Sequence, residues 1–255
     1  MPSLRTRRLF LLLVLISLPG SHGLRAQAPP QEWDRAMALP VATDLNPDPN
    51  ILEINLTAQV AKVEVAPGKT VEAWTYNGSL PGPLIRLKVG DRLIVHFTNQ
   101  LPSPTTVHWH GLQVPIAMDG VPGLSFHGIR PGETFTYQFD VKQSGTYWYH
   151  SHSGFQEQQG VYGPIVIEPR DADPVQADRE HVILLSDWTD EDPDRMYAKL
   201  KKQPTYYNYH RRTLGDFFKD VRTRGLGATL SDRAMWGAMR MNPTDLADVT
   251  GATYT

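Results

Sequence analysis

The sequence predicts an all-β protein, a Greek-key β-sandwich followed by an incomplete second unit with a helical insertion. One observation behind this is the series of short alternating or β-rich runs that begins at Ile51. These cover residues 51–57, 60–65, 71–76, 84–89, 92–98, 105–110, 133–141, 146–151 and 163–168, an even spacing expected of a sandwich. Another is the punctuation between them: Asn77-Gly78, Pro81-Gly82-Pro83, Val89-Gly90-Asp91 and Arg130-Pro131-Gly132 are turn signals. The third lies after Glu168-Pro169, where a polar stretch runs to Arg179 and an apolar strand-like run follows from His181 to Trp188. Beyond it Leu214, Phe217, Phe218 and Val221 fall at i, i+3, i+4 and i+7 ahead of Gly225, the spacing and stop signal of a helix. A further short helix is expected near Ser231. The closing run Thr250–Thr255 is β-prone with nothing after it to pair with, so the second unit reads as cut off.

Composition narrows the function. With 255 residues, 40% of them hydrophobic, the chain can bury one sizeable core and begin another. A formal charge of −2 lacks the basic excess of nucleic-acid binders, and small molecules or metals fit better. The absence of cysteine excludes disulfides, thiolate zinc sites, cysteine nucleophiles and a thiolate-ligated blue-copper centre.

The start has the layout of an export signal. Arg5, Arg7 and Arg8 precede the apolar run Leu9–Leu18 and a small, polar tail. That run is shorter than the roughly 20 residues a membrane span needs, so no span is expected after processing. Thr6-Arg7-Arg8-Leu9-Phe10-Leu11 resembles the twin-arginine signal, whose route exports folded proteins; an ordinary secretory signal is the alternative. Residues 1–26 are assigned to the signal, with Ser21-His22-Gly23 and Ala26-Gln27-Ala28 as competing cleavage boxes. Cleavage after Ala26 removes four arginines and takes the formal charge from −2 to −6. Residues 27–50, rich in proline, read as an extended leader. The sandwich is assigned to 51–170 and the partial second unit to 180–255.

Four of the nine histidines form two His-x-His pairs, His108-Trp109-His110 and His150-Ser151-His152. On a strand, residues i and i+2 leave from the same face, so each pair can aim two imidazoles at one point. One pair alone fits ordinary polar strand positions. Two pairs in one sandwich can gather four neutral imidazoles, a ligand set suited to copper or zinc. His96, His127, His181 and His210 have no near-sequence partner and read as structural. Met235, Met239 and Met241 are either soft Cu(I) ligands or, for Met235 and Met239 beside Trp236, a buried helix face. Trp109, Tyr147, Trp148 and Tyr149 are expected to pack around the histidines.

Thr106-Val107-His108-Trp109-His110-Gly111-Leu112, Met118-Asp119-Gly120-Val121-Pro122-Gly123 and Gly145-Thr146-Tyr147-Trp148-Tyr149-His150-Ser151-His152-Ser153-Gly154 resemble the first cupredoxin-like domain of multicopper oxidases. Leu184–Asp190 and Met239–Val249 are similar to the second domain of the copper-resistance branch. The resemblance covers about residues 50–255. It implies that His108 binds a type 2 copper and that His110, His150 and His152 bind the two type 3 coppers. It further implies that Asp119 lies beside the type 2 copper and assists proton delivery without binding metal, although Asp119 also suits a turn beside Gly120. In this family four more cluster histidines and the cysteine-ligated copper come from a C-terminal domain, and no His-Cys-His motif occurs in this sequence.

The reading that follows is the copper-binding N-terminal portion of a periplasmic multicopper oxidase of the copper-resistance type. The full family couples one-electron oxidation of substrates, with Cu(I) as one candidate, to reduction of oxygen to water. The rival is a non-catalytic periplasmic protein that sequesters copper. Whether residues 1–255 alone form an enzyme stays open, because the electron-entry copper has no ligand here. Replacing Arg7 and Arg8 with Lys is expected to trap the precursor in the cytoplasm, as read by fractionation; an unchanged exported yield would rule out the twin-arginine route.

Overall fold

The computed structural model describes residues 39–171, 177–204, 206–207, 213–238 and 253–254. The signal segment, the leader up to residue 38, His210, Met239 and Met241 lie outside the described residues. Two four-stranded sheets face each other. One has the order β2-β1-β4-β6, built from β1 (Ile51–Ala66), β2 (Lys69–Tyr76), β4 (Arg92–Asn99) and β6 (Thr134–Asp140). The other has the order β3-β8-β7-β5, built from β3 (Ile85–Lys88), β8 (Tyr162–Glu168), β7 (Gly145–His150) and β5 (His108–His110). β1 runs parallel to β4 and β3 parallel to β8, and the other pairs are antiparallel.

Period-2 alternation decides which side chains meet between the sheets. Leu52, Ile54 and Leu56 on β1, Leu93, Val95 and Phe97 on β4, and Tyr137 and Phe139 on β6 are buried against Ile85, Ile165, Trp109 and Tyr149 of the facing sheet. Each such side chain contributes about 1.5–3 kcal/mol on leaving water. Phe97 sits edge-on to Tyr76 and Tyr137, with centroids 6.4 and 6.3 Å away.

Two expected strands, 51–57 and 60–65, are one. β1 continues through Ala66, but its buried face changes from Leu52, Ile54, Leu56 and Ala58 to Val63 and Val65. The first half pairs with β4 and the second with β2, and the second half covers a separate cluster with Ala73 and Trp188. The alternation therefore shifts phase inside a continuous strand, which a sequence pattern reads as a break. Order also starts before Ile51. The Leu84 N–H donates to the Pro40 carbonyl at 2.7 Å, the Ala42 N–H to the Leu84 carbonyl at 2.9 Å, and the Leu45 N–H to the Glu53 carbonyl at 2.8 Å. Proline bars a helix here, yet an extended chain still pairs through alternate peptide groups.

Of the run 181–188, only β9 (Asp187–Trp188) forms a ladder, pairing antiparallel with β10 (Thr253–Tyr254). The closing run thus finds a partner upstream. Ile183 and Leu185 are exposed, and no ladder holds 181–186. Among the described residues three helices follow: α1 (Pro193–Lys202), which the hydrophobic spacing did not announce, α2 (Leu214–Arg224) and α3 (Leu226–Ala238). Asp192 caps α1 by accepting from the Arg195 N–H, and Thr213 and Asp216 form a capping box on α2. Gly225 ends α2 at φ 84° as expected, while α3 starts five residues before Ser231. The α2 apolar stripe stays open, with Leu214 and Phe218 exposed. Met235 is also exposed, which removes the buried-face reading for that residue.

Phe97→Ala is expected to cost about 3–5 kcal/mol in chemical denaturation, whereas Val60→Thr, on the open side of β1, should change stability by less than about 0.5 kcal/mol. Equal effects would contradict this placement of the core.

Candidate metal centre

The site begins with the ladder between β5 and β7, in which His108 lies opposite His150, Trp109 opposite Tyr149 and His110 opposite Trp148. Alternation sends Trp109 and Tyr149 into the core, both fully buried. The same alternation puts His108, His110, Trp148 and His150 together on the outer face. The imidazole of His150 stacks on Trp148 at 4.1 Å and 16°, and His110 lies 4.9 Å from the same indole.

Three histidines converge. His108, His110 and His150 each offer a ring nitrogen within 4.8 Å of the other two. His152 stands outside that triad but next to it, its ring centroid 5.2 Å from that of His108 and 6.0 Å from that of His150. His150 is buried, His108 partly so, and His110 and His152 are exposed.

The residues around the first pair fix it from several directions. The Val107 N–H donates to the buried Tyr137 hydroxyl at 2.8 Å, and the Trp109 indole N–H donates to the Met118 carbonyl at 3.0 Å. Nδ1 of His108 lies 2.8 Å from the Asp119 carbonyl and 3.2 Å from Asp119 Oδ1. Both partners accept, so Nδ1 carries the proton and Nε2 keeps a free lone pair. This turn requires glycine at 120, where φ is +71° and an added Cβ would lie 1.9 Å from the Val107 carbonyl oxygen. The Met118-Asp119-Gly120 motif is thereby a clamp on His108.

The second pair is held by a buried polar cluster. The Ser151 hydroxyl donates to Gln156 Oε1 at 2.6 Å and lies 3.1 Å from the Thr105 hydroxyl, while Gln156 Nε2 donates to the Pro104 carbonyl at 2.8 Å. Nδ1 of His150 faces the Ser151 carbonyl at 2.9 Å and Glu157 Oε2 at 3.0 Å, so Nδ1 carries the proton and Nε2 is the accepting nitrogen. Glu157 is the residue that sequence reasoning missed, since no spacing rule ties a turn glutamate to a histidine seven positions earlier. The hydrogen bond from His150 holds the Glu157 carboxyl below its usual range. Nε2 of His150 lies 3.2 Å from Nδ1 of His110. Although His110 is exposed as a whole, partial burial of its ring, followed by the neighbouring His150 and His108 imidazoles, lowers its pKa. Neutral imidazole is the form that binds metal. The donor set and the Nδ1-protonated tautomers of His108 and His150 fit a divalent transition metal such as copper.

Among the described residues, the remaining histidines lie at the surface. His96 is on the open face of β4, 2.6 Å from Glu53 Oε1, and His127 and His181 are exposed.

Residues 57–172 match the family model described as multicopper oxidase. A solved multicopper oxidase superposes with a TM-score of 0.53 at 35% identity, over 61% of this chain and 55% of its own. The chain belongs to the multicopper oxidase family, and its fold is cupredoxin-like. Within that family it is similar to copper resistance protein A of Escherichia coli, at 51% identity over 98% of this chain and 40% of the relative. Copper resistance protein A of Pseudomonas syringae pv. tomato is 59% identical over 74% of this chain and 31% of its own length. The chain thus spans well under half of each of these curated relatives.

Gly120→Ala is expected to destabilise the fold by more than about 1 kcal/mol and to shift the His108 ring resonances in NMR spectra. Gly123→Ala, where φ is also positive but nothing lies within 4 Å of an added Cβ, should be milder and leave His108 unmoved. The reverse ranking would contradict the clamp.

Proposed function

We propose that this chain is the copper-binding N-terminal portion of an exported, periplasmic multicopper oxidase of the copper-resistance type. The observation that carries the reading is the convergence of His108, His110 and His150 with the Nδ1 atoms of His108 and His150 already turned to oxygen acceptors. In this reading residues 51–170 form the copper-binding domain and 180–255 the start of a second cupredoxin-like domain. His108 serves a type 2 copper through Nε2, and His110, His150 and His152 serve a type 3 pair, with the other ligands supplied from outside these residues. When bound, copper supplies the one-electron chemistry and the oxygen-reducing centre of the family.

The chain's own residues prepare that centre. Asp119 holds the His108 ring by its carbonyl, and in this reading its carboxylate assists proton delivery near the type 2 copper. Trp148 covers the face of His150, which restricts its ring and shields it from water. Trp109 and Tyr149 anchor the ladder that sets the spacing of the pairs. Oxidation of substrate, Cu(I) among the candidates, belongs in this proposal to the longer polypeptide.

Copper titration of the metal-free chain tests it. Neither strand alone offers more than two imidazoles, and a tight site needs three or four ligands. His110→Ala and His150→Ala should each weaken binding severely, and the double variant should abolish the tight phase. Equal affinity in the wild type and the double variant would remove the metal-site reading.

A further inference from the structure

We propose that Glu157 is a positioning residue for His150, forming with Asp119 a matched pair of carboxylates behind two histidines that face each other across the β5–β7 ladder. The inference rests on the copper reading above and adds a residue to it.

The two arrangements correspond atom for atom. His108 and His150 are direct cross-strand partners. Each directs Nδ1 at a backbone carbonyl, that of Asp119 at 2.8 Å or Ser151 at 2.9 Å. Each also directs Nδ1 at a carboxylate, Asp119 Oδ1 at 3.2 Å or Glu157 Oε2 at 3.0 Å. The carbonyl alone suffices to decide which nitrogen carries the proton. What the carboxylate adds is negative charge, and the site lacks it, since neutral imidazoles bring none to a doubly charged ion. A carboxylate accepting from Nδ1–H pushes electron density toward Nε2 and makes that nitrogen a stronger donor.

Glu157 is held for this task. Its neighbour Gln156 is buried and tied to Ser151 and Pro104, and Ser151 directly follows His150. The histidine and its carboxylate are therefore carried on the two ends of one hydrogen-bonded turn. With Trp148 stacked on its face and Glu157 at its edge, the His150 ring is fixed in both tilt and rotation. The Glu157 side chain remains half-exposed, so a substitution there need not disturb the core.

The test compares metal-free full chain carrying Glu157→Gln, Glu157→Leu or His150→Ala with the wild type. Cu(II) affinity is read by competition with a chromophoric chelator, the His150 ring state by nitrogen-15 shifts before copper is added, and folding by thermal unfolding. Glu157→Gln keeps the shape and an acceptor but loses the charge. It should weaken Cu(II) binding by about 10-fold and move the His150 ring shifts with an unchanged unfolding midpoint, and Glu157→Leu should lose about 10- to 100-fold. Glu157→Gln with wild-type affinity and wild-type ring shifts, alongside a severely weakened His150→Ala, would overturn this inference and leave the copper reading standing. If His150→Ala binds Cu(II) as the wild type does, the copper reading itself falls, and this inference with it.

Discussion

The pairing of His108–His110 with Trp148–His150 is the constraint on which the site depends, and it is set from behind. Trp109 and Tyr149 lie opposite each other with both rings fully buried, and Tyr149 is further pinned by donating its hydroxyl hydrogen to the Pro83 carbonyl at 2.7 Å. A one-residue slip of either strand would expel its aromatic ring from the core and turn its own outer-face side chains inward. Each large aromatic is worth several kcal/mol of burial, so the apolar face enforces a register whose benefit appears on the polar face. Core packing and metal chemistry are two sides of one strand pair.

Strand register fixes where the imidazoles start, but the turns decide which nitrogen each presents. Both turns do this through backbone geometry more than through side-chain identity. Gly120 lets the 116–119 turn press against Val107, and Gln156 braces the turn after His152 from within the protein. The carbonyls that orient His108 and His150 come from residues placed by these turns. A ligand nitrogen is thus specified by features several residues away from the histidine that carries it.

This explains what was legible in the sequence and what was not. The two His-x-His pairs and the alternation around them sufficed to place His108, His110 and His150 on one side of one sheet, because period-2 geometry is local, whereas His152 lies past the end of β7 and stands beside the triad. Asp119 was legible through the motif that contains it. Glu157 was not, since its approach to His150 depends on the path of a turn stabilised by Thr105 and Pro104, far back in the chain. The same limit affects the fold. The phase shift inside β1 looked like a strand break because the second hydrophobic cluster, around Trp188, forms only when β9 arrives from more than a hundred residues away. The 181–186 run has strand-like composition, yet a strand exists only where its peptide groups meet a partner, and the ladder forms only at 187–188.

The position of β5 at the end of the sheet order β3-β8-β7-β5 reconciles two opposed needs of a metal centre. A ligand must be rigid, or binding costs conformational entropy, and it must also be reachable by the ion and by further ligands. The exposure of the four histidines is graded accordingly. His150, on the inner strand, is buried, stacked and braced by Glu157. His108, on the edge strand, is partly buried and clamped by Asp119. His110 and His152 are exposed, and they are the two that can adjust when an ion and additional donors arrive. In the proposed copper site His150 on the inner strand therefore supplies the fixed reference point, while His110 on the edge strand and His152 just past the end of β7 supply the adaptable ligands.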